Sequence, residues 1–379
     1  MSSIKTISIQ ILITILIFEL ISFLASQLGL FLVNDTPSVY KKDSLISSNL
    51  PSVYETRTEK NPWGAWRHEN QLSIHETSCF NVIHSSNEVG ARDDSFLEQN
   101  LNSIVLLGDS FAEGVGVDHQ NTAQFLLEKK LGKNILNFGM AGNFGPLQEY
   151  IIYKDLASKY AHDHVFVFVL PANDFKDNEY KYWQDSISKT LRYRPYYSLS
   201  SSPLVPFYPP TAKPSDHLGM YSNGTLSTKQ QFLNYLASIE HFLVNYTWTS
   251  NALRTLHAAI FRRDYTNDSY YLSSTLDEQR NLVAAYRGIV DLAGKKPVSF
   301  IVIPVARDIE LLSKVDKSLI ESQYWYKELQ SLSQTSGGFF LDLLSVLPSN
   351  PNLLFHTCDG HWSKYGNNWA ANEILKMLN

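Results

Sequence analysis

Cysteine is scarce in this sequence, which excludes a common class of metal site. The 379 residues contain only two cysteines, Cys79 and Cys358, and no Cys-x-x-Cys or His-x-x-x-His pair occurs. Structural zinc sites usually depend on such pairs, so we expect no metal. The two cysteines are either independent thiols or one disulfide formed in an oxidising compartment, and both alternatives stay open.

Long runs of one charge are also missing. The 32 basic and 37 acidic side chains give a net charge of −5. Nucleic-acid binding depends on basic side chains that neutralise phosphates, and the sequence has no basic stripe. The sequence therefore argues against a nucleic-acid partner. Hydrophobic residues make up 44% of the chain, which is enough for a large buried core.

An apolar run near the N-terminus is long enough to cross a bilayer. About 20 apolar residues in a helix span the hydrocarbon core, and residues 7–33 read ISIQILITILIFELISFLASQLGLFLV. We expect an uncleaved transmembrane signal anchor. Ala25 is the best candidate for a cleavage site, but bulky Phe23 stands where such a site needs a second small residue; a cleaved signal peptide is the alternative. Since Lys5 precedes the run, the positive-inside rule places residues 1–6 in the cytoplasm and the catalytic bulk outside it, in the periplasm or extracellular space.

One carboxylate lies near the middle of this run. A charge there costs about 2.5–3.5 kcal/mol on the insertion scale. Glu19 is therefore interpreted in one of two ways. Either it is a protonated side chain that a strongly apolar helix tolerates, or it contacts another membrane protein.

The remaining chain reads as a lead-in region and one large domain. Residues 34–100 are polar and irregular, although NPWGAWRHEN indicates an ordered segment. Residues 101–379 alternate apolar runs with helical patterns, which predicts an α/β fold: a doubly wound, flavodoxin-like parallel sheet flanked by helices. The predicted strands are SIVLLG, NILNFG, HVFVFVLP, VSFIVIPV and GGFFLDL. A Pro- and Tyr-rich stretch around 176–280 is interpreted as an insertion, with a separate small domain as the alternative.

Four short motifs carry residues suited to acyl chemistry: GDSFAEGVGV at 108–117, NFGMAGNFG at 137–145, PAND at 171–174 and DGHWS at 359–363. The first three follow apolar strands, and ligands bind at the carboxyl edge of open α/β sheets. Ser110 would present its hydroxyl at this edge. Gly142 and Asn173 would arrive beside it with a backbone N–H and an amide N–H₂, which are suitable donors to a developing oxyanion.

The fourth motif supplies an acid–base pair. Asp359 and His361 are separated by one residue, so the carboxylate can hold the imidazole Nδ1–H while Nε2 faces Ser110. Asp342, at the end of the last predicted strand, is the alternative orienting carboxylate. Each motif alone is common in turns, but together the four supply nucleophile, oxyanion donors, base and orienting group.

These motifs resemble blocks I, II, III and V of the SGNH (GDSL-like) hydrolase superfamily, over about residues 102–175 and 298–379. The stretch NEVGARDD also resembles the lead-in of its membrane-anchored, extracytoplasmic members. Two positions depart from the family pattern: Pro171 replaces the usual glycine of block III, and Cys358 stands where block V commonly has its aspartate. The Asp-x-His-Trp arrangement that remains is similar to that of alginate-acetylating and related polysaccharide-modifying members.

The resemblance implies a role for each matching residue. Ser110 is the expected nucleophile, and its own N–H forms the oxyanion hole together with Gly142 and Asn173. Asp359 and His361 are the expected acid–base partners, and no cofactor is required.

The resulting hypothesis is serine-dependent acyl transfer by an O-acyl, above all O-acetyl, esterase or transferase acting on a cell-envelope or exported polysaccharide. The expected partner is an acylated carbohydrate or another ester. A lipase or thioesterase acting on acyl chains and a non-catalytic envelope-assembly scaffold are the alternatives. Hydrolysis and transfer use the same catalytic groups, so the motifs do not separate them.

Overall fold

The computed structural model describes residues 2–27, 50–77, 80–96, 102–185, 191–197, 203–216, 247–249, 269–356 and 359–378. Its strands are β1 (Arg57–Asn61), β2 (Gly64–Arg67), β3 (Leu72–Glu76), β4 (Asn81–Ser85), β5 (Ile104–Leu107), β6 (Ile135–Asn137), β7 (His164–Val169), β8 (Tyr196–Tyr197), β9 (Pro206–Phe207), β10 (Val298–Val302) and β11 (Phe340–Asp342). Its α-helices are α1 (Ser2–Gln27), α2 (Ser110–Glu113), α3 (Ala123–Leu131), α4 (Pro146–Asp155), α5 (Pro171–Asp177), α6 (Tyr180–Asp185), α7 (Tyr270–Ser273), α8 (Leu276–Ala293), α9 (Ala306–Leu312), α10 (Lys317–Glu321), α11 (Tyr324–Ser336) and α12 (Lys364–Lys376). The chain divides into two units, residues 1–48 with 225–267 and residues 49–224 with 268–379.

The five apolar runs of the larger unit form one parallel sheet. Its order is β11-β10-β7-β5-β6, and every neighbouring pair is parallel. Counted along the chain, these strands follow the 2-1-3-4-5 order of flavodoxin-like folds. The predicted parallel α/β sheet flanked by helices is therefore confirmed.

Helices cover both faces of this sheet. Successive side chains of a strand point to opposite faces, so Val105 and Leu107 of β5 enter one core cluster while Ile104 and Leu106 enter the other. The first cluster packs against α4, α8 and α11, and the second against α3 and α12. Burial on both faces explains why these strands read as continuous apolar runs.

The lead-in region contains regular structure that its polar sequence did not predict. Strands β1 and β2 form one antiparallel pair, and β3 and β4 form another. All four residues of β2 are buried, and Trp66 joins the first core cluster. The sequence did not predict β2 because the strand is too short to show alternating apolar and polar residues and ends in a buried arginine, Arg67.

The described residues 191–197 and 203–216 of the insertion belong to the larger unit. The two-residue strands β8 and β9 pair antiparallel, and Tyr196 and Tyr197 are buried. Asn178 binds this segment twice, donating to the carbonyl of Pro195 at 3.0 Å and accepting the N–H of Tyr197 at 2.9 Å. Residues 225–267 group with the N-terminal segment instead.

The smaller unit contains α1 at the place of the predicted anchor. The Glu19 carboxylate accepts the backbone N–H groups of Trp248 and Thr249 at 2.6 and 3.0 Å, and Phe23 packs edge-on against the Trp248 ring. Among the described residues, no helix combines the length and apolar character needed to cross a bilayer. Positions 28–33 of the predicted span lie outside the described residues, as do Cys79 and Cys358. The anchor, the membrane-protein contact of Glu19 and the disulfide therefore stay predictions.

Candidate active site

A tight turn after β5 presents Ser110 at the carboxyl edge of the sheet. The strand ends at Leu107, and Ser110 is the first residue of α2. Asp109 caps this helix, because its Oδ1 accepts the N–H of Phe111 at 3.0 Å. Gly108 has φ +149°, and a Cβ there would stand 2.9 Å from the Phe168 Cβ. Only glycine therefore fits between the strand and the serine.

The C-terminal loop brings His361 to this serine. His361 Nε2 lies 2.8 Å from Ser110 Oγ, and Nδ1 contacts Asp359 Oδ1. A bridge between Phe355 and Trp362 closes the loop, and Trp362 packs edge-on against Phe111 of α2. The structure thus places the predicted nucleophile, base and carboxylate in one connected row.

The alternative carboxylate, Asp342, lies elsewhere. It accepts the N–H of Leu344 at 3.0 Å and the hydroxyl of Tyr271 at 3.5 Å, and burial raises its pKa to about 6. The carboxylate in contact with His361 is Asp359. Burial alone would raise the pKa of Asp359, but the hydrogen bond and charge of His361 outweigh it and lower the pKa below its usual value. An ionised Asp359 can hold the imidazole in the tautomer that leaves Nε2 free to accept a proton.

The predicted oxyanion donors follow three adjacent strands. Ser110 follows β5, Gly142 lies in the loop between β6 and α4, and Asn173 is in the first turn of α5 after β7. Gly142 has φ +104°, a conformation that L side chains rarely adopt. Pro171, which departs from the family pattern, is the first residue of α5, where a missing N–H costs the helix nothing.

The amide of Asn173 is already hydrogen-bonded. Its Nδ2 donates to Asp109 Oδ2 at 3.2 Å and to Asp177 Oδ2 at 2.8 Å. A substrate oxyanion would have to replace one of these carboxylates. Burial raises the pKa of Asp109 above its usual value.

Sequence reasoning missed four buried carboxylates around this amide: Asp109, Glu149, Asp174 and Asp177. Burial, followed by the charges of neighbouring carboxylates, raises the pKa of Glu149 and of Asp174 well above the usual range. Among the described residues, no group of histidine, cysteine, aspartate or glutamate side chains has the arrangement of a metal site. Spacing offered one signal, because Asn173 and Asp177 stand four apart on α5.

Three arginines from outside the motifs hold the Gly142 loop. Arg192 Nη1 donates to the Gly142 carbonyl at 3.0 Å, and Arg194 Nη1 donates to the Asn143 carbonyl at 2.6 Å. Arg57 Nη1 lies 3.5 Å from the Ala141 carbonyl. The lead-in region and the insertion therefore both contribute to the shape of the candidate site, and nothing in the sequence indicated these contacts.

Comparison with known proteins gives likenesses to solved structures only. No protein-family model and no curated protein matches the chain. A lipase/acylhydrolase from Enterococcus faecalis is similar at 12% identity and a TM-score of 0.35, over 73% of this chain and 94% of its own. The psychrotrophic esterase EstA from Pseudoalteromonas sp. is similar at 10% identity and a TM-score of 0.33, over 73% of this chain and 96% of its own. A carbohydrate esterase family 2 enzyme with a carbohydrate-binding domain, from Corynascus thermopiles (Myceliophthora fergusii), is similar at 11% identity and a TM-score of 0.37. The likeness covers 74% of this chain and 66% of that enzyme. At these scores no conclusion about activity rests on the likenesses.

Proposed function

We propose that this protein is a serine esterase or O-acyltransferase of the SGNH type. The observation that carries the proposal is the chain of side-chain contacts in which Asp359 binds His361 Nδ1 while His361 Nε2 lies 2.8 Å from Ser110 Oγ. That distance allows proton transfer, and the three side chains are connected in the order Asp, His, Ser of a serine hydrolase triad. The block motifs around these residues support the same family.

The chemistry follows from this geometry. His361 Nε2 takes the proton of Ser110 while Oγ attacks the carbonyl carbon of an ester, and negative charge develops on the carbonyl oxygen. The N–H groups of Ser110 and Gly142, with the amide of Asn173 once it is released, are the donors to that oxygen. Collapse of the tetrahedral adduct expels the alcohol, which receives the proton from His361. Water or a sugar hydroxyl then takes the acyl group from Ser110.

The substrate in this proposal is an O-acetylated polysaccharide of the cell envelope or one that is exported. Aromatic side chains of the insertion support a carbohydrate, since sugars pack on aromatic faces. The rings of Tyr193 and Tyr208 stack with their centroids 5.3 Å apart, and Tyr193 lies between Arg192 and Arg194 in the sequence. A lipase or thioesterase would favour a long apolar groove, whereas this insertion is rich in tyrosine, serine and proline.

A substrate panel tests the proposal. Purified protein is offered acetylated oligosaccharides, short nitrophenyl esters and long-chain acyl esters, and acetate release is followed with and without an unacetylated oligosaccharide acceptor. We expect turnover of acetyl esters, with kcat/KM falling as the acyl chain lengthens. Preference for long chains would establish the lipase alternative, and acceptor-dependent loss of free acetate would identify a transferase.

We also propose that residues 7–33 anchor the protein with its catalytic unit outside the cytoplasm. The proposal rests on the length and apolar character of that run and on Lys5 before it. The full chain is expected to stay in the membrane fraction after alkaline extraction, and a variant lacking residues 1–33 to be released. A C-terminal reporter that works only in the cytoplasm would overturn the topology, and a mature form shorter by about 25 residues would show cleavage.

A further inference from the structure

Glu113, three residues after Ser110, is fully buried at the centre of a cluster of positive side chains. Its Oε1 accepts from Arg57 Nη2 at 3.0 Å and forms an ion pair with Arg67 Nη2, and His84 Nδ1 lies 3.4 Å away. Burial by itself would raise the pKa of Glu113, but the charges of Arg67 and Arg57 and the contact with His84 lower it well below the usual range. The carboxylate is thus held ionised inside the protein.

The other oxygen of this carboxylate binds the oxyanion loop. Glu113 Oε2 accepts the backbone N–H of Ala141, the residue directly before Gly142. Glu113 also belongs to α2, the helix that begins with Ser110. One side chain therefore links the nucleophile's helix to the loop that carries the predicted backbone donor.

Arg57 contacts the next peptide group, on the other side of the Ala141 Cα. Its Nη1 lies 3.5 Å from the carbonyl oxygen of Ala141 while Nη2 binds Glu113. The carbonyl of Ala141 and the N–H of Gly142 belong to one planar trans peptide and point in opposite directions. Fixing the carbonyl direction therefore fixes the direction of the Gly142 N–H.

Close packing leaves this loop little other freedom. A Cβ at Gly139 would lie 2.5 Å from the Glu113 nitrogen, so the loop backbone touches α2 directly. Asn137 Nδ2 also donates to the Ala112 carbonyl at 2.8 Å. The Ala141–Gly142 peptide is then held from one side by Glu113 and Arg57, while Arg192 binds the following carbonyl, that of Gly142.

We propose that Glu113, held by Arg57 and Arg67, is a positioning residue that aims the Gly142 N–H at the oxyanion formed on Ser110. The inference rests on the proposed acyl-transfer function. Glu113 touches neither substrate nor reacting atoms. It acts directly on the Ala141 N–H, and it acts through Arg57 on the Ala141–Gly142 peptide. The lead-in region thereby becomes part of the catalytic apparatus, because β1 and β2 supply Arg57 and Arg67.

Glu113→Gln is the informative substitution. Both carboxylate oxygens accept from donors, so a glutamine must turn its N–H₂ either towards the two guanidinium groups or towards the Ala141 N–H. Neither orientation keeps both contacts. Because an oxyanion donor acts in the transition state, its misalignment lowers kcat and leaves KM unchanged. We expect kcat per active site to fall about 10- to 100-fold, somewhat less than the effect of deleting a donor outright.

The control is Glu128→Gln in α3. Glu128 is partly buried and, like Glu113, accepts a backbone N–H. This N–H is that of Ile135, at 3.3 Å and at the opposite end of β6 from Gly142. This variant should keep the wild-type kcat. If Glu113→Gln fails to fold, Arg57→Lys serves as the second variant. Lysine keeps the positive charge but cannot contact Glu113 and the Ala141 carbonyl at once as the guanidinium does. We expect a smaller loss of kcat than for Glu113→Gln.

The experiment measures nitrophenyl acetate turnover per titrated active site, together with the affinity of an alkyl boronic acid. The boronate forms a tetrahedral adduct on Ser110 whose oxygen occupies the oxyanion position. A parallel fall of kcat and boronate affinity at constant KM supports the positioning role. Unchanged kcat per titrated site, with loss only of melting temperature or of active fraction, overturns it. A wild-type protein that neither turns over nor binds the boronate overturns the acyl-transfer function itself, and with it the positioning role.

Discussion

Replacing Ser110 with alanine is expected to lower kcat for nitrophenyl acetate by on the order of 10⁶-fold, as in other triads that lose their nucleophile. The physical reason is that Ser110 Oγ is the hydroxyl within 2.8 Å of His361 Nε2, and alanine leaves no atom to form the acyl-enzyme. Initial rates of purified wild-type and variant protein at saturating substrate provide the comparison.

The fold should survive this change, because Ser110 is only half-buried and alanine keeps its backbone and Cβ. Matching circular dichroism spectra and melting temperatures would establish that. A folded Ser110→Ala protein with wild-type turnover would remove the nucleophile assignment entirely.

Asp359→Asn is expected to lower kcat by about 10⁴-fold, the loss seen when a triad aspartate becomes an amide. Asparagine can donate to Nδ1 and so favours the tautomer with its proton on Nε2, which cannot accept from Ser110. The measurement is kcat/KM for a short ester across pH 5–9, to show that no pH restores the wild-type rate.

Asp342→Asn is the matched control for that substitution. Asp342 contacts Leu344 and Tyr271 instead of His361, so its removal should leave kcat within a few-fold of wild type. The reverse pattern, with Asp342→Asn inactive and Asp359→Asn active, would mean that Asp342 orients the base.

The sheet could be predicted from sequence because burial on both faces removes polar residues from the central strands. HVFVFV and VSFIV are almost entirely apolar for this reason, and the PAND motif follows the first of them. The proximity of Ser110 and His361 could be predicted because a nucleophile and a base would need particular residue types in particular turns.

The supporting contacts could not be predicted, because they join segments far apart in the chain. Glu113 meets Arg57 across 56 positions, and Arg192 reaches the Gly142 carbonyl across 50. A buried arginine looks like a surface one in sequence when its partner is unknown. The hydrogen bond of Asn173 to Asp109 likewise joins segments that are 64 positions apart.

The most direct test of the central claim is the mass of the Ser110 peptide after brief reaction with nitrophenyl acetate and an acid quench. The acyl-transfer mechanism predicts that the peptide carrying Ser110 gains the mass of one acetyl group. The fraction of acetylated peptide should be larger in Asp359→Asn if deacylation slows more than acylation. Fragmentation should place the acetyl group on Ser110 itself. Turnover with an unmodified Ser110 peptide, or acetylation at another residue that tracks the rate of turnover, would contradict the mechanism.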